Sequence, residues 1–385
     1  MLTHDGLKRD VARRVERIQA MLKEKDLGAL VIVGQAAPGG LGAMRYISNA
    51  HLWGGAGYAV LGAEDPDPWL EIWSSYQAVW SRNETTTVPE RVESPDGDIL
   101  GRVAEIAKGY STRNKRIGIV NMNKLLAVSD HKKLVAALEG YELVEVTGAF
   151  NSIRQIKTPF EVEAALQNGV ILDASMDIFL KEAHVGARYW DVCAQVEAFV
   201  KAQGAFWGRT KVSLDLTPFT VPTAKDRRMT EDDIINFEIV YECPWGYWLE
   251  MTTIFSFREL PGDVQAMLDG YLLAVEKSSA AAKAGATFAM ISEINDKTLR
   301  DLGFPVVGKH TPDCHSTGLD GSDGPSSEGD PNFVLKSNMM LSYHPGTVLE
   351  NNRGFLVSDN FLVTPEGAVR LSPHKASRYF IRLQK

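Results

Sequence analysis

Two carboxylates, Glu238 and Glu250, lie in the stretch Asp-Asp-Ile-Ile-Asn-Phe-Glu-Ile-Val-Tyr-Glu-Cys-Pro-Trp-Gly-Tyr-Trp-Leu-Glu-Met-Thr-Thr-Ile-Phe over residues 232–255. Its two apolar, β-branched and aromatic runs flank Pro244-Trp245-Gly246, a pattern that predicts two antiparallel strands joined by a turn. Such a hairpin can aim both carboxylates into one pocket, where a like-charged pair in partly apolar surroundings tunes acid and base strength. The same two residues on the outer face of a sheet would be solvated. The stretch by itself leaves both arrangements open.

Upstream lies Arg154-Gln155-Ile156-Lys157-Thr158-Pro159-Phe160-Glu161, with the Glu opening a long helical pattern. Downstream come His315-Ser316-Thr317-Gly318-Leu319, then Pro345-Gly346 after an apolar run, and Leu362-Val363-Thr364-Pro365-Glu366-Gly367. With Gly246-Tyr247 in the hairpin, these motifs resemble, in order and spacing, the creatinase/aminopeptidase family, whose catalytic domain is the pita-bread fold. The resemblance spans nearly the whole chain.

Peptidases of that family hold two divalent ions through two Asp, one His and two Glu, since a bridged pair of ions needs hard carboxylate oxygens on both. Carried over residue by residue, the first Asp falls on Glu238 (or on Ile239 without an insertion) and the second on Glu250. The His falls on His315, the first Glu on His344 and the last Glu on Ser358, while a further family histidine is Ser322 here. The resemblance therefore implies a divergent member that lacks most metal ligands. Its expected cofactor is none, with one divalent metal ion on Glu238, Glu250, His315 and His344 as the alternative.

The expected activity is metal-independent hydrolysis of a small non-peptide C–N bond, by acid/base chemistry like that of creatinase and ectoine hydrolase. His315 and His344 would handle protons near neutrality and Glu250 and Glu238 would bind or polarise substrate. Creatine itself is not expected, because the segment 216–223 carries no histidine where creatinase has its catalytic one. Phe219 and Trp248 are expected to supply aromatic surface suited to an apolar or aromatic substrate, and Asp323 lies on an acidic, glycine-rich loop at the rim. The alternatives are a lyase that abstracts a proton and eliminates, an Xaa-Pro-type metallopeptidase with rearranged ligands, and a non-catalytic binding protein.

The elements that must position these residues divide in two. Over residues 1–152, strand patterns at 29–34, 58–61, 69–73, 117–120 and 142–146 alternate with helical ones at 8–25, 98–108 and 131–138, which predicts an α/β domain. Met44-Arg45-Tyr46-Ile47-Ser48-Asn49 stands where family members end a strand. Over residues 153–385, helices are expected from 158, at 190–202, 263–284 and 287–302 around the hairpin and the final strands. That order predicts an α+β domain with helices on one face of a curved antiparallel sheet. The resemblance further implies a homodimer with the active site near the subunit interface, where His51 and Trp53 of the first domain would contact substrate.

A chain of 385 residues with 44% hydrophobic and 23% charged residues is of ordinary globular composition. Its formal net charge of −8, without clustered Lys and Arg, argues against nucleic-acid binding. No apolar run approaches the ~20 residues of a membrane span, and no leader pattern opens the sequence, so a cytoplasmic location is expected. The three cysteines, Cys193, Cys243 and Cys314, fit neither a disulfide framework nor a zinc motif.

Overall fold

The computed structural model describes residues 2–95, 97–214, 216, 226–242, 244–304, 306, 313–345, 354 and 356–384. The chain divides into two compact units, Met1–Gln155 and Ile156–Lys385.

In the first unit the run Ala-Leu-Val-Ile-Val forms β1 (Ala29–Gln35), buried along nearly its whole length because helices and neighbouring strands cover both faces. It pairs antiparallel with β2 (Ala56–Gly62), which in turn pairs with β3 (Trp69–Ile72). β4 (Val92–Glu93) lies parallel beyond β3, and β5 (Arg116–Val120) and β6 (Glu142–Glu145) lie parallel beyond β1. The sheet order is β4-β3-β2-β1-β5-β6. The helix His4–Glu24 starts at Thr3, whose side chain accepts a hydrogen bond from the Gly6 amide, and it buries Leu7, Val11, Val15, Ile18 and Leu22.

The stretch expected to end a strand at 44–49 is instead the helix Gly42–Ser48, all of it buried. Asn49 closes it with φ 54°, in the left-handed region that Asn tolerates better than most residues. A short, uniformly buried apolar run carries no periodicity that separates a strand from a helix.

The second unit opens with the helix Pro159–Glu182, held at its start by a capping box in which Thr158 and Glu161 each bond the other's backbone N–H. It packs against the two strands of the hairpin. At Gly169 a Cβ would stand 2.0 Å from the Leu371 carbonyl oxygen, so the absence of a side chain there lets the helix approach that segment. The helices Tyr189–Ala202, Gly262–Ala281 and Phe288–Asp301 follow in order.

The strands form two four-stranded sheets. One contains β7 (Gly208–Leu214), β8 (Ile234–Glu242) and β9 (Trp248–Ser256), with β14 (Phe380–Arg382) added along β9. The other contains β10 (Cys314–Ser316), β11 (Met340–Tyr343), β12 (Asp359–Val363) and β13 (Ala368–Arg370) in that order. All neighbours are antiparallel except β14, which runs parallel to β9. The tail therefore supplies a mixed edge to an otherwise antiparallel α+β unit. Tyr271, Phe288, Leu341, Tyr343, Phe361 and Tyr379 are among the side chains of its core. Among the described residues, no helix is long and apolar enough to cross a membrane.

Candidate active site

The hairpin register settles the geometry of the two carboxylates. Glu238 stands opposite Thr252, and Val240 opposite Glu250. Glu238 and Glu250 are thus diagonal neighbours on one face of the β8–β9 pair. On the other side of β8, Lys211 stands directly opposite Glu238.

The second sheet meets that face. Ser358 donates its amide to Thr252 Oγ1 at 2.8 Å, and the Asn360 side chain brackets the Glu250 backbone, donating Nδ2 to its carbonyl and accepting its amide at 3.4 Å. The Ser342 hydroxyl holds Asn360 Oδ1 at 2.8 Å. His315 is the middle residue of β10, and His344 lies just past β11, where its amide bonds the Asp313 carbonyl at 2.7 Å. The two imidazoles stack with ring centres 5.1 Å apart.

Three atoms converge: Glu250 Oε1 lies 2.9 Å from His344 Nε2 and 3.2 Å from His315 Nε2, and the two Nε2 atoms are 3.1 Å apart. The hydrogen bonds on the far side of each ring fix what these atoms carry. His315 Nδ1 faces the Ser316 carbonyl, which can only accept, so Nδ1 bears the proton. Ser358 Oγ donates to Glu238 Oε1 at 2.9 Å and therefore accepts from His344 Nδ1 at 3.0 Å. In their neutral forms both rings then present bare Nε2 lone pairs to each other and to a carboxylate.

Three acceptors at this spacing repel unless a proton or a cation lies among them. Burial pushes the Glu250 carboxyl upward, but the imidazoles of His344 and His315 outweigh it and hold it well below the usual carboxylate range. Burial pushes His315 down, yet the Glu250 carboxylate raises it above its ordinary value. Glu250, His315 and His344 together form a set able to hold a metal ion, with all ligand atoms within 4.8 Å.

The other expected site residues lie as follows. Trp248 is buried, its amide on the Gly318 carbonyl at 2.7 Å and its carbonyl accepting from Thr317 Oγ1 at 3.0 Å. Asp323 is buried against Lys157, Oδ2 to Nζ 2.6 Å, and its Oδ1 accepts the Asp320 amide at 3.1 Å. In the first unit His51 is buried with Nδ1 on the Leu52 carbonyl at 3.1 Å and its ring edge-on to Trp80. Trp53 is 54% exposed on a loop that the Gln77 side chain holds at the Trp53 and Gly54 amides. Phe219, with Cys243 and His310, lies outside the described residues.

Lys211 and the roles of Ser358 and Asn360 escape sequence reasoning. The alternation of Lys211-Val212-Ser213-Leu214 places Lys211 on one strand face, but its partner across the sheet follows only from register. Several motif residues turn out to brace the site. Tyr247 donates its hydroxyl to Glu161 at 2.8 Å, and Asn168 Nδ2 donates to the carbonyls of Tyr241 and Tyr247 at 2.9 and 2.6 Å. These contacts fasten the first helix to both ends of the hairpin turn.

Comparison with known proteins agrees with this architecture. Residues 163–365 match the profile of metallopeptidase family M24, and residues 14–156 match that of the creatinase/prolidase N-terminal domain. An uncharacterized peptidase of Staphylococcus saprophyticus is 24% identical over 276 residues, covering 66% of this chain and 75% of that one. An Xaa-Pro dipeptidase of Pyrococcus furiosus is 23% identical over 235 residues, covering 60% and 67%. The prolidase from Pyrococcus horikoshii OT3 superposes with a TM-score of 0.79 at 20% identity, over 94% of this chain and 99% of that one.

Proposed function

Because the chain belongs to metallopeptidase family M24, behind a creatinase/prolidase N-terminal domain, and is a hydrolase, we propose that it cleaves the amide bond of a small peptide-like substrate at one divalent cation held by Glu250, His315 and His344. The observation that carries this reading is the triangle formed by Glu250 Oε1, His315 Nε2 and His344 Nε2, with sides of 2.9, 3.1 and 3.2 Å. A four-coordinate ion with bonds of ~2.0–2.2 Å would space its ligands about 3.3–3.6 Å apart, a few tenths of an ångström wider than those sides.

The donor set supports one ion rather than two. The Glu238 carboxylate is taken by Lys211 at 2.5 Å and by Ser358, and the buried Asp359 carboxylate by Arg370 and Tyr379. Ser358 and Asn360 offer neutral oxygens that already have partners, which supply no charge compensation for a second ion. A divalent ion at the triad supplies Lewis acidity, polarising a substrate carbonyl and acidifying water. The protein residues keep both Nε2 lone pairs available: the Ser316 carbonyl holds the His315 Nδ1 proton, and Ser358 Oγ that of His344. The peptide-like substrate rests on the two peptidase relatives.

A second reading uses the same residues without an ion. The opposed displacements of Glu250 and His315 favour a proton on the His315 imidazole beside an ionised Glu250, able to serve acid/base hydrolysis directly. Elemental analysis of the purified protein, with amine release from a panel of dipeptides and N-acyl amides before and after chelation, separates the two. About one equivalent of a transition metal and activity lost to chelator, then restored by that metal, is the expected result. Full turnover in metal-stripped protein overturns the cation and leaves the acid/base reading. His315→Ala and Glu250→Ala should each lower kcat by roughly 10²–10⁴-fold with little change in melting temperature. Wild-type turnover in either removes the site.

A further inference from the structure

Glu238 is a second carboxylate on the site's own face, 3% exposed, and diagonal to Glu250. A buried carboxylate this near a cation site would draw in a second cation or a proton unless its charge were met. Lys211 meets it: directly opposite in the β7–β8 register, its Nζ lies 2.5 Å from Glu238 Oε2 while its stem stays a quarter exposed at the strand edge. The contact is an ion pair rather than an aligned hydrogen bond, so its contribution is charge. The other oxygen, Oε1, takes the Ser358 proton at 2.9 Å, and that bond makes Ser358 Oγ the acceptor for His344 Nδ1.

We infer that Lys211 is a positioning residue: a built-in counter-ion that, through Glu238 and Ser358, confines the site to a single divalent cation and keeps His344 Nε2 as its lone-pair ligand. The inference rests on the single-cation reading above. With Lys211 present, both oxygens of Glu238 are committed, one to an ammonium and one to a hydroxyl. Without it, Glu238 becomes an uncompensated hard-oxygen donor beside the triad, suited to Mn²⁺ with water completing its shell. Ser358 then loses the partner geometry that orients its proton, and the His344 tautomer is released.

The test is Mn²⁺ titration of metal-stripped full-length protein by calorimetry, with elemental analysis of the loaded samples, for wild type, Lys211→Met and Lys211→Arg. Wild type and Lys211→Arg should bind one equivalent, and Lys211→Met a second, weaker one. Lys211→Met retains the aliphatic stem, and its melting curve reports whether it folds. Ser358→Ala, which leaves the ion pair intact, should keep one equivalent. Its ¹⁵N imidazole spectrum in metal-free protein should show the His344 Nδ1–H signal weakened relative to wild type. One equivalent of equal affinity in Lys211→Met, or an unchanged His344 Nδ1–H signal in Ser358→Ala, overturns the inference while the single-cation site stands. No equivalent bound by wild type overturns the reading beneath it.

Discussion

At the scale of single residues, the acidic loop 320–330 shows how a charge that suggests ligand binding can be spent on the fold. Asp323 and Lys157 form an ion pair with both side chains 2% exposed or less. A Cβ on Gly318 would stand 1.9 Å from Asp323 Oδ2 and 2.7 Å from Lys157 Nζ, so the loop closes over the pair only with glycine there. Removing one member of a buried pair costs about 3–5 kcal/mol, whereas an apolar replacement of both is often neutral. Asp323→Ala should therefore lower the unfolding free energy in urea by that amount, and Lys157→Met with Asp323→Leu should recover most of it. Unchanged stability with a raised KM in Asp323→Ala would instead put Asp323 against substrate, as the sequence suggests. The reason the sequence cannot decide is distance along the chain: nothing local to Asp323 reports that Lys157 arrives beside it. The same holds for His344, whose role depends on Ser358 and on the Asp313 carbonyl.

At the scale of elements, long and strongly patterned segments are legible and short ones are not. The hairpin reads from its aromatic and β-branched runs, buried almost throughout on both sides of Pro244 and Gly246, and the register of β8 and β9 then places Glu238 and Glu250 on one face. β10 and β13 are only three residues long, and the helix Gly42–Ser48 has seven buried residues in succession. Their local propensity is overridden by what packs around them. The first helix of the second unit has a start signal that is fully local, Thr158-Pro159-Phe160-Glu161, and the capping box forms as that signal predicts. Thr158→Ala should cost about 1 kcal/mol in chemical denaturation. Turnover should stay at the wild-type level under native conditions, because the cap acts on helix stability and the triad hangs on strands. A large loss of kcat at unchanged stability would mean that the cap also sets the hairpin's position, through Glu161 and Tyr247.

At the scale of the whole molecule, the two units carry separate cores and separate electrostatic liabilities. In the first, Glu71 of β3 is fully buried and pairs in register with Glu93 of β4, which Arg102 Nε contacts at 3.0 Å. Burial first, then the neighbouring Glu93 carboxylate, pushes the Glu71 carboxyl up to about 7. The unfolded chain would titrate Glu71 near the model-peptide value of about 4.3. Between those two values the folded state binds more protons than the unfolded one, so its stability falls as pH rises, by up to about 1.4 kcal/mol per pH unit. Above about 7 the loss is complete. Glu71→Gln keeps the shape of the protonated acid and removes the titration. Calorimetric melting of full-length protein between pH 4 and 8 should show the variant and wild type nearly level at the acidic end, with the wild type falling progressively behind up to about pH 7 and the gap steady beyond it. The gap should open in whichever transition belongs to the first unit, since Glu71 lies among its strands. A gap of constant size across that pH range would mean that Glu71 is ionised in the folded protein throughout, with Arg102 rather than a proton meeting its charge.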